Sequence, residues 1–486
     1  MRKIGVRLLV LPLLLLLSGC AVGPNYKRPP IAAPEQVRGE TGPAQAASLA
    51  DRAWWEIFGD ETLKGLLDEA LKKAYDVRLA AARVEEARAN AGIARSEFFP
   101  QFDYQGQWSR SRQSEFVAPG AGPVSLHDVN LGLTWEIDLW GRIRRSSESA
   151  LAQYLASEEA RRGVLLSLVS EVATNYFQLR QLDQRLEIAR RTTTAFQETY
   201  DLFGRRLEAG MASALETASA EASLASVAGQ VPQLESQIVA LENAIGLLLG
   251  RTPGPIGRGA SLTDQFLPPE VPAGLPSDLL RRRPDVKQAE QQLIAANANV
   301  GVAMANFFPT ISLTGALGGV SSDVSNLFQA GKTWSIAAGL TGPLFQGLRL
   351  KNQYDVRVAQ WEQAKTQYER AVTNAFGEAS SAIVAHQKLA QAEKEQARAV
   401  AAYRQAVTLS NQRYVSGFAG YLDVLQAEQN LFPAENALAQ IRFNRLANFI
   451  QLYKALGGGW NLSDPAWARP DATSATKAAL PAVGAD

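Results

Sequence analysis

The sequence predicts a mixed α/β membrane protein in which long antiparallel coiled-coil helices alternate with short strand pairs, the whole plan written twice in tandem. Three observations predict it. Apolar residues recur at alternating steps of three and four over stretches too long for a compact domain. Four segments of about ten residues alternate polar and apolar side chains, the length a tilted strand needs to cross a bilayer. Both patterns return in the same order about 200 residues later.

The helices come first because their spacing is the most regular. Leu224, Val227, Val231, Leu234, Ile238, Leu241, Ile245 and Leu248 step 3, 4, 3, 4 without a miss. Leu165, Leu168, Val172, Leu179, Leu182, Leu186, Phe196, Tyr200, Phe203 and Leu207 keep the same phase, with Asn175 and Thr193 as polar interruptions. That is coiled-coil spacing. A helix from Arg142 to Phe203 would run roughly 90 Å at about 1.5 Å per residue. The second half is poorer in large apolar residues, although Val400, Tyr403, Val407 and Tyr414 hold part of the phase. Pro433 falls inside an expected helix, where proline costs about 3 kcal/mol, so a kink is expected there.

In the strands, Leu131, Leu133, Trp135, Ile137 and Leu139 share one parity, and Asn130, Gly132, Thr134, Glu136 and Asp138 the other. A strand puts such sets on opposite faces. Phe102, Tyr104 and Trp108 alternate with Gln101, Asp103, Gln105 and Gln107. Ile311, Leu313 and Leu317 alternate with Thr310, Ser312 and Thr314. Trp334, Ile336 and Leu340 alternate with Thr333, Ser335 and Thr341. A soluble sheet with one wet face would show the same alternation. In a membrane, however, four strands cannot close a barrel, because the smallest have about eight and an open edge in lipid leaves backbone groups unpaired. Several chains would then share one barrel, with eight strands from two copies or twelve from three.

The tandem repeat is explicit. Asp76-Val77 returns 209 residues on as Asp285-Val286, and Phe98-Phe99-Pro100 returns at the same offset as Phe307-Phe308-Pro309. Arg206 to Gly210 returns loosely as Arg413 to Gly417, now 207 residues on, and Leu215, Glu221 and Leu224 match Leu422, Glu428 and Leu431. Each proline ends a helical stretch, since it disfavours helix in the residue before it. The expected organisation is a signal peptide (1–19), an N-terminal extension (20–60) and a first repeat (61–250) of helix, β-hairpin at about 101–140 and two long helices. A Pro/Gly-rich linker (251–276) leads to a second repeat of the same plan (277–459, hairpin at about 310–343). A disordered Ala/Pro-rich tail (460–486) follows.

Residues 1–19 carry Arg2, Lys3 and Arg7, then an apolar run from Leu8 to Leu17, which is too short to span a bilayer as a helix. Leu17-Ser18-Gly19-Cys20 looks like a lipobox, in which the Cys20 sulfur takes a diacylglycerol, a further acyl chain is added, and cleavage leaves Cys20 first. Ala21, where inner-membrane lipoproteins tend to carry aspartate, favours the outer membrane. The acyl chains would anchor the chain by burying methylenes at about 0.8 kcal/mol each.

Composition excludes several classes. The 49 basic and 48 acidic residues leave a net charge of +1, without the basic excess of a nucleic-acid surface. Cys20 is the single cysteine, so the sequence offers neither an intramolecular disulfide nor a cysteine metal cage. The two histidines, His127 and His386, lie far apart. Gly331-Lys332-Thr333 resembles the end of a phosphate loop, but Asn326 stands where that loop needs glycine. Asn461-Leu462-Ser463 matches a glycosylation acceptor, which has no meaning in a bacterial lipoprotein. No constellation of catalytic or metal-ligating residues emerges, and the chain is expected not to be an enzyme.

Taken with their order and spacing, these residues resemble the outer-membrane efflux factors, the TolC-like family, and especially its lipoprotein branch of OprM or NodT type. The resemblance is carried by Cys20 to Tyr26 with Pro29, Trp54-Trp55 with Phe58-Gly59-Asp60, both Phe-Phe-Pro motifs, and Asp138-Leu139-Trp140-Gly141. Arg282-Arg283-Pro284-Asp285-Val286 with Ala289-Glu290 and Arg413 to Gly417 with Tyr421 to Leu425 add to it. It covers roughly Cys20 to Gly459. It implies a homotrimer whose strands make a twelve-stranded barrel in the outer membrane of a Gram-negative cell, with helices forming a hollow cylinder across the periplasm. It also implies a periplasmic adaptor and an inner-membrane pump, which the lipid anchor suggests is proton-driven. The channel itself would be a passive duct without cofactors, exporting drugs or other small molecules. The resemblance further implies that the helical tips, turning near Gly210 and Gly417, contact the adaptor and close the periplasmic end. The positions matching the family's lock are Glu216, Tyr414 and Asp423, and Ala419 stands where some relatives carry arginine. Tyr414 could equally be a packed heptad residue. Competing readings are the duct of a type I protein secretion system and a non-channel structural coiled-coil lipoprotein. With only Met211 and Met304 beyond the initiator, no methionine-rich copper site is visible, which weakens metal export.

Overall fold

A computed structural model describes residues 21–31, 38–39, 59–265 and 276–458. The expected signal peptide, Cys20, Trp54-Trp55, part of the expected inter-repeat linker and the expected disordered tail therefore lie outside the described residues. The elements run α1 (Glu61–Lys73), α2 (Tyr75–Ser96), β1 (Gln101–Ser111), β2 (Val124–Ile137), α3 (Arg142–Glu208), α4 (Ala214–Ala228), α5 (Gln230–Leu248), α6 (Pro276–Arg282), α7 (Pro284–Ala305), β3 (Thr310–Ser321), β4 (Lys332–Thr341), α8 (Arg349–Val415) and α9 (Tyr421–Ala455). The architecture is mixed α/β: long helices and one small antiparallel sheet.

One compact unit contains residues 82–158 and 288–370 with the N-terminal segment 21–31. Its centre is the sheet, in the order β1-β2-β3-β4. The two hairpins are registered alike, with Gln101 opposite Thr134 and Thr310 opposite Thr341. They are stitched together by β2 against β3, where Thr134 faces Thr314. Helices end before each hairpin as the prolines require: α2 stops at Ser96 ahead of Pro100, and α7 at Ala305 ahead of Pro309. α3 and α8, 67 residues each, start within this unit. Asp138 caps α3, its carboxylate accepting from the backbone N–H groups of Ile143 (3.1 Å) and Arg144 (2.9 Å).

The second unit, within Ala32–Ala81, Glu159–Lys287 and Ala371–Asp486, is helical and holds the main apolar core. All eight heptad residues from Leu224 to Leu248 are buried or half-buried. Tyr176, Phe177, Leu179, Ile245, Phe449 and Tyr453 are almost fully shielded. Tight glycines fasten this core: a Cβ on Gly250 would come 2.5 Å from the Lys73 carbonyl oxygen, and one on Gly457 3.0 Å from the Arg282 Cβ.

Two details depart from the sequence reading. The expected unbroken helix through Leu224–Leu248 is two, α4 and α5, meeting at Gly229. Pro232 has no N–H for the carbonyl of residue 228 and its ring crowds that carbonyl, which accounts for the break. The helix before the first hairpin is likewise divided at Ala74, whose backbone is extended (φ −54°, ψ 136°). In the second half Pro284 starts α7 just after α6, as a proline at a first helical position does. Pro433 lies inside α9 without ending it.

Candidate functional site

The sheet is two-faced. Residues opposite one another in an antiparallel pair share a face, and the registers place one apolar set together over most of the strand length, giving way to His127, Ser321 and Lys332 at the hairpin end. Phe102 faces Leu133, Tyr104 faces Leu131, and Leu131 in turn faces Leu317, which faces Trp334. Trp135 faces Leu313, and Ile137 faces Ile311, which faces Leu340. The other face carries Gln101, Asp103, Gln105, Gln107, Asn130, Thr134, Glu136, Thr314 and Ser335. The apolar face is bare: Tyr104 is 90% exposed, Ile336 81% and Trp334 73%. A contiguous apolar surface of this kind requires lipid or another protein surface. The outer edges of β1 and β4 have no strand beside them among the described residues. No helix of the described residues is long and apolar enough to cross a membrane.

The segment following Cys20 is pinned beneath this sheet. Val22 N–H donates to the Trp140 carbonyl (3.0 Å). The Arg145 guanidinium, nearly inaccessible, donates to Asn25 Oδ1 (2.7 Å), and Asn297 Nδ2 donates to the Pro24 carbonyl (2.8 Å). Glu290 receives Tyr26 OH (3.1 Å) and both Arg28 Nε (2.6 Å) and Arg28 Nη2. Burial and the neighbouring Glu290 hold the Tyr26 hydroxyl well above the ordinary tyrosine range. Charge-assisted, bidentate contacts of this sort position a chain more firmly than neutral ones.

In the helical unit, α3 turns back through Gly210 (φ +70°) and α8 through Gly417 (φ +78°), positions where glycine's freedom is needed. A cluster of Phe196, Phe203, Val227, Tyr421, Val424 and Leu425 lies behind the turns. Tyr414 packs on its margin, its ring 5.3 Å from that of Tyr421, and its hydroxyl accepts from Arg206 Nη1. The Arg206 guanidinium also sits 5.3 Å from the Tyr414 ring centroid, a cation–π distance. Tyr421 OH donates to Thr199 Oγ1 (3.0 Å), and burial pushes its pKa up to about 12.

Of the three sequence-predicted lock residues, Tyr414 therefore joins a packed cluster. Glu216 forms the capping box of α4: its carboxylate accepts from Ser213 N–H (2.8 Å) while Ser213 Oγ accepts from Glu216 N–H (3.3 Å). Those bonds from Ser213 lower the Glu216 pKa. Asp423 is exposed in the first turn of α9. No hydrogen bond joins the three within the chain among the described residues. The reading missed Arg206, although it stands in the quoted tip motif. It also missed Glu428 on α9, whose pKa burial raises to about 7 and whose Oε2 has no partner among the described residues. Its recurrence as the counterpart of Glu221 was the available signal. Among the described residues, no group of three histidine, cysteine, aspartate or glutamate side chains is placed to hold a metal.

With this geometry in hand, comparison with known proteins is decisive. The family described as outer membrane efflux protein matches residues 66–251 and 275–458. The solvent efflux pump outer membrane protein SrpC of Pseudomonas putida is 37% identical over 461 residues, covering 93% of this chain and 97% of its own. The cation efflux system protein CusC of Escherichia coli is 33% identical over 452 residues, covering 92% and 97%. The open-state structure of the Neisseria gonorrhoeae MtrE outer membrane channel superposes with a TM-score of 0.82 at 32% identity, covering 90% of this chain and 98% of that one. The chain belongs to the outer membrane efflux protein family and is an outer-membrane channel component of bacterial efflux systems, a transport protein and not an enzyme.

Proposed function

We propose that three copies of this chain close a single twelve-stranded barrel in the outer membrane, the apolar sheet face against lipid and the polar face lining a wet duct. One observation carries the reading: a sheet whose exposed face is apolar from Phe102, Leu133, Ile311 and Leu340 to Trp108, Val129, Leu317 and Trp334, mainly polar on the other face, and unpaired at both edges among the described residues. In lipid those edges need strands, and four strands fall short of the smallest barrels. The tandem organisation, two repeats at 61–250 and 277–459 about the 251–276 linker, is part of the same proposal. Equal 67-residue helices and identically registered hairpins support it.

The helical part extends into the periplasm and its tips, at Gly210 and Gly417, receive an adaptor. Cys20 carries the lipid, as the OprM/NodT-type branch would, and the pinned segment from Val22 to Arg28 sets where that lipid enters the membrane. Transport is passive in the channel and driven by an inner-membrane pump. The cargo is small molecules, in keeping with the solvent and cation efflux named for SrpC and CusC. Crosslinking in living cells followed by purification of the chain is expected to bring down an adaptor and a proton-driven pump. Recovery of an ATP-driven transporter instead would move the role to protein secretion.

Glu216, Tyr414 and Asp423 are proposed to hold the periplasmic end shut, with Asp423 and Glu216 meeting groups on neighbouring copies. Glu216→Ala with Asp423→Ala is expected to raise single-channel conductance in a planar bilayer. Removing the Ser213–Glu216 box should cost about 0.5–2 kcal/mol locally, so the fold survives. Unchanged conductance would take both carboxylates out of the lock.

A further inference from the structure

We infer the register in which one copy's β4 pairs with the next copy's β1: Thr341 opposite Gln105, Leu340 opposite Gly106 and Ala338 opposite Trp108. The inference rests on the shared-barrel reading and deepens it.

The chain contains one seam between its two halves, β2 against β3, and the seam between copies joins the same elements with the halves exchanged. The matching offsets are read from the hairpins: Thr134 corresponds to Thr341, and Gln101 to Thr310. Within the chain Thr134 faces Thr314, Leu133 faces Gly315 and Leu131 faces Leu317. Carrying each pair across by those offsets yields the register above.

Residue sizes, which played no part in the construction, agree with it. On the apolar face within the chain, Gly106 lies opposite Val129, Gly315 opposite Leu133 and Ile336, and Gly319 opposite Val129. The inferred seam keeps this habit, with Gly106 against Leu340. A slip of two residues in one direction sets Gly106 against Gly342, and in the other against Ala338. Either leaves a gap in the face that lipid would have to fill.

The helices below the sheet give independent support. Within the chain α3 rests on α7 at a glycine: a Cβ on Gly301 would come 2.9 Å from Arg145 Cγ. The counterpart of Gly301 is Gly92 on α2, with nothing within 4 Å of its Cβ position. The counterpart of Arg145 is Asn352 on α8, which lines an open groove of about 600 Å³ with Val302, Asn306 and Val356. Gly301 and Arg145, packed together at the internal seam, thus have open counterparts in Gly92 and Asn352 at the outer edges, and a second copy's α2 fits the α7–α8 groove.

Cysteine pairs in the full chain test the register, because a disulfide needs Cβ atoms about 3.5–4.5 Å apart, which directly opposite residues approach and diagonal ones do not. Thr341→Cys with Gln105→Cys is expected, under mild oxidant in cells, to shift the chain to bands of two and three times its mass. Each single variant sets the background, and Gly339→Cys with Gln105→Cys, offset by two, should not exceed it. Stronger crosslinking of the offset pair would overturn the register and leave the shared barrel standing. A trimer by native mass with neither pair linked would also overturn it. A purified monomer would instead remove the shared barrel.

Discussion

Leu131→Arg is expected to abolish assembly of the channel in the outer membrane. Leu131 lies midway along β2, on the apolar face between Tyr104 and Leu317. An arginine on the lipid side of a membrane barrel costs about 2–4 kcal/mol at the midplane. Three copies would bring about 6–12 kcal/mol, the size of a whole domain's stability. Thr134→Arg, on the opposite face between Gln101 and Thr314, should assemble, because its charge meets water. The oligomer in outer-membrane fractions, resolved by gel migration with and without heating, reports both. Normal assembly of Leu131→Arg would reverse or abolish the lipid-facing assignment.

The second large effect is expected at Asp60, which is 2% exposed and organises the base of the helical core. Its Oδ1 caps α1 by accepting from Thr62 N–H (2.9 Å) and Leu63 N–H (3.1 Å). Its Oδ2 accepts from Tyr176 OH (2.8 Å), Ala260 N–H (3.1 Å) and Gln265 Nε2 (3.2 Å). Gly259 must be glycine beside it, since a Cβ there would come 2.2 Å from Oδ1. Asp60→Ala removes a cap worth about 0.5–2 kcal/mol and strands the buried Tyr176 hydroxyl at about 1–3 kcal/mol, the part-buried donors of Ala260 and Gln265 losing less. The total expected loss is about 3–5 kcal/mol. Asp60→Asn should rescue little, because its amide can present a donor to three donors. Tyr176→Phe, which keeps the carboxylate but removes one of its donors and the acceptor of the Gly259 N–H (2.9 Å), should cost about 1–3 kcal/mol. Denaturation midpoints rank the three, and an Asp60→Asn midpoint equal to wild type would refute this account of the network.

These two sites differ in how far they can be read in the sequence. The Leu131 face is a local pattern: alternation of period two fixes which side chains share a side, while the hairpin registers depend on the connecting turns and are not read from it. The heptads from Leu165 and Leu224 are legible for the same reason, as are the turns at Gly210 and Gly417, where each recurring glycine has positive φ. The Asp60 network is not local. Its partners Tyr176, Ala260 and Gln265 lie 116 to 205 residues away, and nothing in Phe58-Gly59-Asp60 names them. Glu435, buried and bonded by Arg191 and Arg404 from two other helical segments, is unreadable for the same reason. Arg206 on Tyr414 was half legible: the tip motif contained the arginine, but the ring it covers lies 208 residues on. The helix break at Gly229 was legible and missed, because the heptad continues in phase through Pro232 while the backbone bond does not.

The proposed gate residues differ in how far one chain satisfies them, and Asp423 is exposed and open to a neighbouring copy. Glu216 differs, since the capping box already satisfies it and would have to be exchanged for any contact with a neighbour.

If three copies share one barrel, the native, detergent-purified particle has the mass of three chains, with no smaller species until the sample is heated. A particle of one or two chains that still conducts in a bilayer would contradict it.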